Sequence, residues 1–428
     1  MAKVASTNPL GWLGGVQYAT HPCAWGSYYT VEEDELIKPR LNKTVAAVTT
    51  SALLLMAVPA VGIASTSGAA GKPTYVIGYQ GPLSGGNQQL GLNMVFAVQL
   101  AINQANASGK LPFKLKIATY DDQGDPTIAP TQAQAAIANK NLVAVVGPAF
   151  SGATAASEPF YHKAHLATVS PSATNPKLAT NHWNNFFRVV ADDNVQGPAD
   201  ANYVVKKLKK TKVYVVNDGT AYGSGVASAF ASQATKDGAT VTPATVPGTS
   251  QCQNGTASST EYTSAAAQVV ASGADAMFYG GYYCDLGLFL GQLQSAGYTG
   301  IVMSDDGALS PALIQNTTPA SAANGVYLTC ACSSSTSKVF NRKYQALAHF
   351  SAANATYAPE SYDATNAIIA AMKKLKKITR AGIVAQLHKL VMKGMTKVIR
   401  FQPNGNIAGS AIYVNQVKNG KIVQIGLE

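Results

Sequence analysis

Small hydroxyl side chains stand at two predicted strand ends between Val145 and Thr174, in the segment VVGPAFSGATAASEPFYHKAHLATVSPSAT. The apolar run Leu142–Val146 predicts a strand that passes through Gly147-Pro148 into Ser151-Gly152-Ala153-Thr154, the start of an alanine-rich helix. A second short strand, Leu166–Val169, ends in Ser170-Pro171-Ser172-Ala173-Thr174. As parallel neighbours, these strands would set hydroxyls and free N–H groups along one carboxyl-end edge. A helix N-terminus there favours an anion, because its first N–H groups lack partners and its dipole end is positive. The chemistry is recognition of a small carboxylate rather than catalysis, since no base adjoins these hydroxyls in sequence. The plainer roles are helix capping for Ser151 and turn formation before Pro176 for Ser172 and Thr174.

Other candidates stand at later strand ends. Tyr222 lies between Gly219 and Gly223, Tyr282 follows Gly280-Gly281, and the acid pair Asp305-Asp306 precedes Gly307. Asp121 and Asp122 are expected to fix a turn into Asp125-Pro126 and cap the next helix. His162 and His165 are one helical turn apart, but no third ligand is evident, so a surface helix accounts for them. The glycine-rich GPLSGG at 81–86 is neither a dinucleotide fingerprint nor a phosphate loop with its lysine. With no G-x-S-x-G and no H-E-x-x-H, the chain is not expected to be an enzyme, nor to need a cofactor or metal.

The elements that must position these residues alternate from Lys72 onward. Buried strands are predicted at Tyr75–Tyr79, Leu115–Tyr120, Leu142–Val146, Val213–Val216, Ala276–Tyr279 and Ile301–Met303. Helical stretches lie between them at Asn93–Asn106, Ala129–Asn139, Gly197–Leu208, Gly225–Lys236 and Tyr262–Ala271. Two more helices, Lys338–Phe350 and Glu360–Lys376, precede a β-rich tail from Val398 to Ile425 with a turn at Pro403-Asn404-Gly405-Asn406. This order predicts an α/β fold of two doubly wound parallel-sheet lobes whose strand ends face a shared cleft.

At 428 residues, two domains are expected. The net charge is +11, with basic residues that look scattered along the chain. The runs Lys206-Lys207-Leu208-Lys209-Lys210 and Lys373-Lys374-Leu375-Lys376-Lys377 suit solvated helix ends, and no nucleic-acid partner is expected. Lys38, Arg40 and Lys43 precede an uncharged run, Val45–Ala64, with small residues after it up to Ala70. That pattern is expected to be an export signal within 38–70, and residues 1–37 an extension outside the natural start. A membrane anchor competes on length, but Thr49, Thr50, Ser51 and Pro59 weaken it. The resulting location is periplasmic or extracellular. Export permits disulfides among Cys252, Cys284, Cys330 and Cys332, with three pairings open.

Eight segments in order resemble the branched-chain amino-acid-binding proteins, the type I periplasmic solute receptors of ABC importers. They are YVIGYQGPLSG (75–85), YDDQGDP (120–126), VGPAFSGAT (146–154), TVSPSATNPKL (168–178), VQGP (195–198), DGTAYGSG (218–225), FYGGYYCDLG (278–287) and SDDGA (304–308). The resemblance covers roughly residues 72–428 and implies two lobes joined by a multi-strand hinge. Lobe 1 would comprise 72–190 plus 331–398, and lobe 2 would comprise 191–330 plus 399–428. It further implies a monomer that closes on a small amino acid, aliphatic or branched-chain, and delivers it to the membrane permease of an ABC importer. By position, Ser151, Ser172 and Thr174 would take the ligand carboxylate, Tyr222 and Tyr282 would line the site, and Asp306 would take the ammonium. Such charge-assisted hydrogen bonds contribute on the order of 1.5–3 kcal/mol each.

Three departures bear on the ligand. Leu90 stands where relatives often carry an aromatic residue, Gly124 and Phe150 replace a cysteine pair, and Asp306 replaces the commoner glutamate. Leu90, Ala149 and Phe150 suggest an apolar wall. The alternative is the same fold holding an amide, a urea or an aromatic acid, or serving as a sensor rather than a transport receptor.

Overall fold

The computed structural model describes residues 71–248, 252, 259–409 and 411–428; the expected signal and extension lie outside them. Five parallel strands make the first sheet: β1 (Thr74–Gly81), β2 (Lys114–Asp121), β3 (Leu142–Val146), β4 (Ala167–Ser170) and β5 (Phe186–Arg188). Their order is β2-β1-β3-β4-β5. Every residue of β3 and β4 is buried, as strands covered on both faces require. The crossovers are α1 (Gln88–Ala107), α2 (Ala129–Ala138) and α3 (Ser151–Lys163).

The second sheet repeats the plan with β6 (Lys212–Asn217), β7 (Thr240–Thr245), β8 (Ala276–Gly280), β9 (Ile301–Ser304) and β10 (Tyr327–Cys330). Its helices are α4 (Asp193–Asn202), α5 (Ala221–Lys236), α6 (Thr263–Ala271), α7 (Tyr283–Ser295) and α8 (Pro311–Asn316). The chain then returns to the first sheet with α9 (Lys338–Ala348), α10 (Ala358–Lys373) and α11 (Arg380–Leu387); α10 packs on α1 and α11 on β3 and β4. A short hairpin follows, β11 (Val391–Lys393) with β12 (Val398–Arg400). Finally β13 (Tyr413–Lys418) and β14 (Lys421–Leu427) extend the second sheet as antiparallel strands, giving the order β14-β13-β10-β9-β8-β6-β7. The chain thus passes between the two lobes three times, after β5, after β10 and after β12.

Strand order decides where a ligand can sit. In the first sheet the connections diverge between β1 and β3, and in the second between β6 and β8. A crevice forms at such a switch point, outside the strands' carboxyl ends. The loops after β3, β4, β6, β8 and β9 carry the chemistry expected from sequence.

Several elements differ from the expected ones. α4 begins at Asp193 rather than Gly197 and runs into a wider π-helical turn at Tyr203–Lys207. β7 was hidden because it is an edge strand, half-exposed and carrying Pro243, whose missing N–H only an edge tolerates. The Pro403–Asn406 turn is present, closed by a Phe401–Ile407 bridge with Gly405 at φ 81°. The disulfides are Cys252–Cys284 and Cys330–Cys332.

Candidate functional site

On the first lobe, Ser151 is the first residue of α3, and Phe150, in extended backbone, occupies the cap position instead. Ser151 Oγ accepts the Asn175 N–H at 3.2 Å, which ties the two hydroxylic loops together. Ser170 Oγ donates to the Pro148 carbonyl at 2.7 Å, and Ser172 Oγ to the Ala149 carbonyl at 2.7 Å. Thr174 is wholly buried and lies outside the chamber wall. Asp121 and Asp122 hold the neighbouring turn: Asp121 accepts the N–H groups of Leu83 and Gln123, and Asp122 that of Gly124.

On the second lobe, the Tyr222 hydroxyl donates to Asp305 Oδ1 at 2.5 Å and accepts the Gly307 N–H at 2.9 Å. Asp306 receives a hydrogen bond on Oδ2 from the Tyr357 hydroxyl, while its Oδ1 has no partner. The acid pair is therefore buried rather than a solvated turn.

The two walls meet around one small closed chamber. Leu90, Ala149, Phe150, Ser151 and Ser172 face Tyr222, Tyr282 and Asp306, with Gly307 and Tyr357 completing the lining. The space left to a water-sized molecule is about 10 Å³. Phe150 narrows it by stacking on Tyr282 across the cleft, with ring centroids 4.3 Å apart and planes 20° from parallel. Tyr282 in turn leans on Tyr222 at 5.1 Å. Behind the Phe150 ring is Gly124, where a Cβ would lie 2.5 Å from the phenyl carbons. The two positions read from sequence as a replaced cysteine pair are thus still neighbours, now fitted ring to glycine.

Three residues of this site escaped the sequence reading. Tyr357, at φ 66°, precedes α10; Pro359 marks that helix start and was the available signal. Asn175 Nδ2 donates to the Ala221 carbonyl at 2.5 Å, a bond between the lobes. Gly86, in the unexplained GPLSGG stretch, approaches the second lobe so closely that a Cβ would stand 1.5 Å from the Cys252 carbonyl oxygen. Glycine there serves close contact between lobes rather than phosphate binding.

Asp306 lines the chamber with Asp305 beside it, and other acids are buried elsewhere in the two lobes. Burial, together with Asp306's charge, raises the Asp305 pKa, and burial raises that of Asp306, so the pair holds a proton where an exposed pair would not. Burial also pushes Asp193 and Glu158 up to about 8, and Asp122, Asp218 and Glu360 up to about 7. Unfolded carboxyls titrate near 4, so between there and about 8 the folded state binds more protons than the unfolded one. Their stabilisation is complete below the unfolded values and is lost as pH rises through the folded ones. The melting temperature is expected to be higher at pH 5 than at pH 8 by roughly 5 °C. A melting curve that moved upward over this interval would contradict the assignment.

A model of the periplasmic binding proteins matches residues 74–421. The amino acid binding protein of Pseudomonas aeruginosa is 29% identical over 239 residues, covering 56% of this chain and 62% of that protein. The chain thus spans about three fifths of that relative's length. The branched-chain amino acid transporter substrate binding protein of Streptococcus pneumoniae, solved with isoleucine, shares the fold at TM-score 0.71 and 24% identity, over 82% of this chain and 100% of that one. So does a solute binding protein from R. palustris solved with benzoate, at TM-score 0.70 and 18% identity, over 83% and 96%.

Proposed function

Because the chain belongs to the periplasmic binding protein family, we propose that it is an exported, non-enzymatic receptor that closes on a small aliphatic amino acid for an ABC importer. The lobes would be 72–190 plus 331–398 and 191–330 plus 399–428. One observation carries the reading: Asp306, buried in the chamber wall with Oδ1 unpartnered, faces the hydroxyl wall of Ser151 and Ser172. The carboxylate on one lobe and the Ser151 hydroxyl with the leading N–H groups of α3 on the other suit the two ends of a zwitterion. A ligand that satisfies both holds the lobes shut, so its binding energy drives closure.

The chemistry asks for nothing beyond binding. No nucleophile-base pair lines the chamber, and the hydroxyls of Ser172 and Tyr222 are engaged with a carbonyl and a carboxylate. Calorimetry of ligand-stripped protein against the common amino acids tests the proposal. Saturable heat with a small aliphatic member is the expected result, and silence across the set would end it. The Phe150–Tyr282 stack favours one second reading, a small aromatic carboxylate held against the rings. That ligand would bind without needing Asp306.

A further inference from the structure

The two lysine runs that look alike in sequence have different surroundings. At the second lobe, Lys206 pairs with Asp237 at 2.8 Å and Lys207 with Glu428 at 3.0 Å. The run Lys373-Lys374-Leu375-Lys376-Lys377 joins α10 to α11, and all four of its lysines are exposed. Arg380 fixes this loop to the amino-terminal end of the first sheet. Its Nη2 donates to the carbonyls of Ile137 and Asn139, and its Nε to that of Leu142.

That end of the sheet gathers cations from across the sequence. Exposed Lys72 precedes β1, Lys110 and Lys114 flank the start of β2, Lys140 precedes β3, and Lys163 ends α3 before β4. The segments that meet there are 71–74, 107–114, 138–142, 162–167, 180–186, 372–381 and 387–390, and none contains an aspartate or glutamate. None of the ion pairs among the described residues involves these lysines. The basic residues that look scattered along the chain are therefore concentrated by the fold, at the pole opposite the ligand chamber.

We propose that this pole docks on an anionic lipid surface. The charges come from separate loops spread around one end of a sheet, a broad face suited to a planar anionic surface. Each lysine near anionic headgroups adds attraction that falls off within a Debye length, so many on one face act together. The fringe is suited to an interface. Trp183, half-buried beside β5, adjoins Asn184, whose carbonyl lies 2.8 Å from His388 Nε2, and Val391 just beyond is 67% exposed. Docking there leaves the mouth between the lobes free.

The test is flotation of the mature protein, from Lys72 onward, with vesicles of phosphatidylcholine alone or mixed with phosphatidylglycerol. Binding to the mixed vesicles at low salt, with release near 1 M salt where the Debye length is about 3 Å, is expected. K373E/K374E/K376E/K377E should lower partitioning by about a hundredfold or more. K206E/K207E/K209E/K210E, of equal charge change at the other lobe, should leave it within about threefold. All variants lack the upstream apolar run, so differences report on the lysines. Should the first variant fold poorly, the corresponding glutamine variant and the salt titration of the unaltered protein decide. Equal binding to neutral vesicles, equal losses in both reversals, or capture of DNA without capture of vesicles would overturn the proposal.

Discussion

Asp306→Asn is expected to abolish high-affinity amino-acid capture while raising the melting temperature of the free protein. Both effects follow from one fact, that Asp305 and Asp306 are buried side by side and each raises the energetic cost of ionising the other. No lysine or arginine lines the chamber to relieve them. A ligand ammonium would supply the missing cation, accepted by the free Oδ1 of Asp306. Without the carboxylate, that ammonium is buried unpaired, and breaking such a pair costs about 3 kcal/mol or more, roughly a hundredfold in Kd. The amide keeps the size of the side chain but removes the repulsion, so the empty fold gains stability. Tyr357→Phe should be milder, about tenfold, because it removes only the donor that steadies Oδ2. Affinity should rise with pH while the pair loses its proton, since an ammonium needs the ionised form. Calorimetry at several pH values together with thermal melting checks all three. Unchanged affinity in Asp306→Asn would point to a ligand without an ammonium, and the aromatic acid would become the better reading.

Much of this was legible in the chain because buried parallel strands advertise themselves. Leu142–Val146 is a strand from the first to the last residue expected, since all five of its side chains are buried. Five of the six candidate binding residues line the chamber because strand-end loops at a switch point have nowhere else to converge. Thr174 does not, being wholly buried outside that wall. What stayed hidden was set by tertiary packing. Tyr357 reaches the site from a segment 51 positions after Asp306, and no local pattern announces such a contact. The basic pole was equally invisible, because its lysines belong to loops brought together only by the sheet. The same limit applies to Phe150, whose identity says apolar wall but whose position says how much room remains.

Phe150→Ala is expected to move the size preference of the proposed receptor upward, toward leucine. With an amino acid held as proposed, the phenyl ring would occupy the volume into which a branched side chain extends, and it cannot simply retreat. Behind it, the Cα of Gly124 is already so near that an added Cβ would collide with the ring, and in front it stacks on Tyr282. Removing the ring frees apolar space lined by Leu90 and Ala149, and each buried methylene of a longer ligand then contributes about 0.8 kcal/mol. Leucine should gain about tenfold or more. Alanine should lose about tenfold, because the stack is also a contact that holds the lobes together, contributing about 1 kcal/mol beyond its buried area. Gly124→Ala supplies the converse. At φ 74° a side chain is strained there, and its methyl would push the ring further into the chamber, weakening every ligand. Competition calorimetry with alanine, valine and leucine on the three proteins separates these effects. If the unaltered protein prefers leucine over alanine, and Phe150→Ala leaves that order and its size unchanged, the ring is not the measure of the ligand.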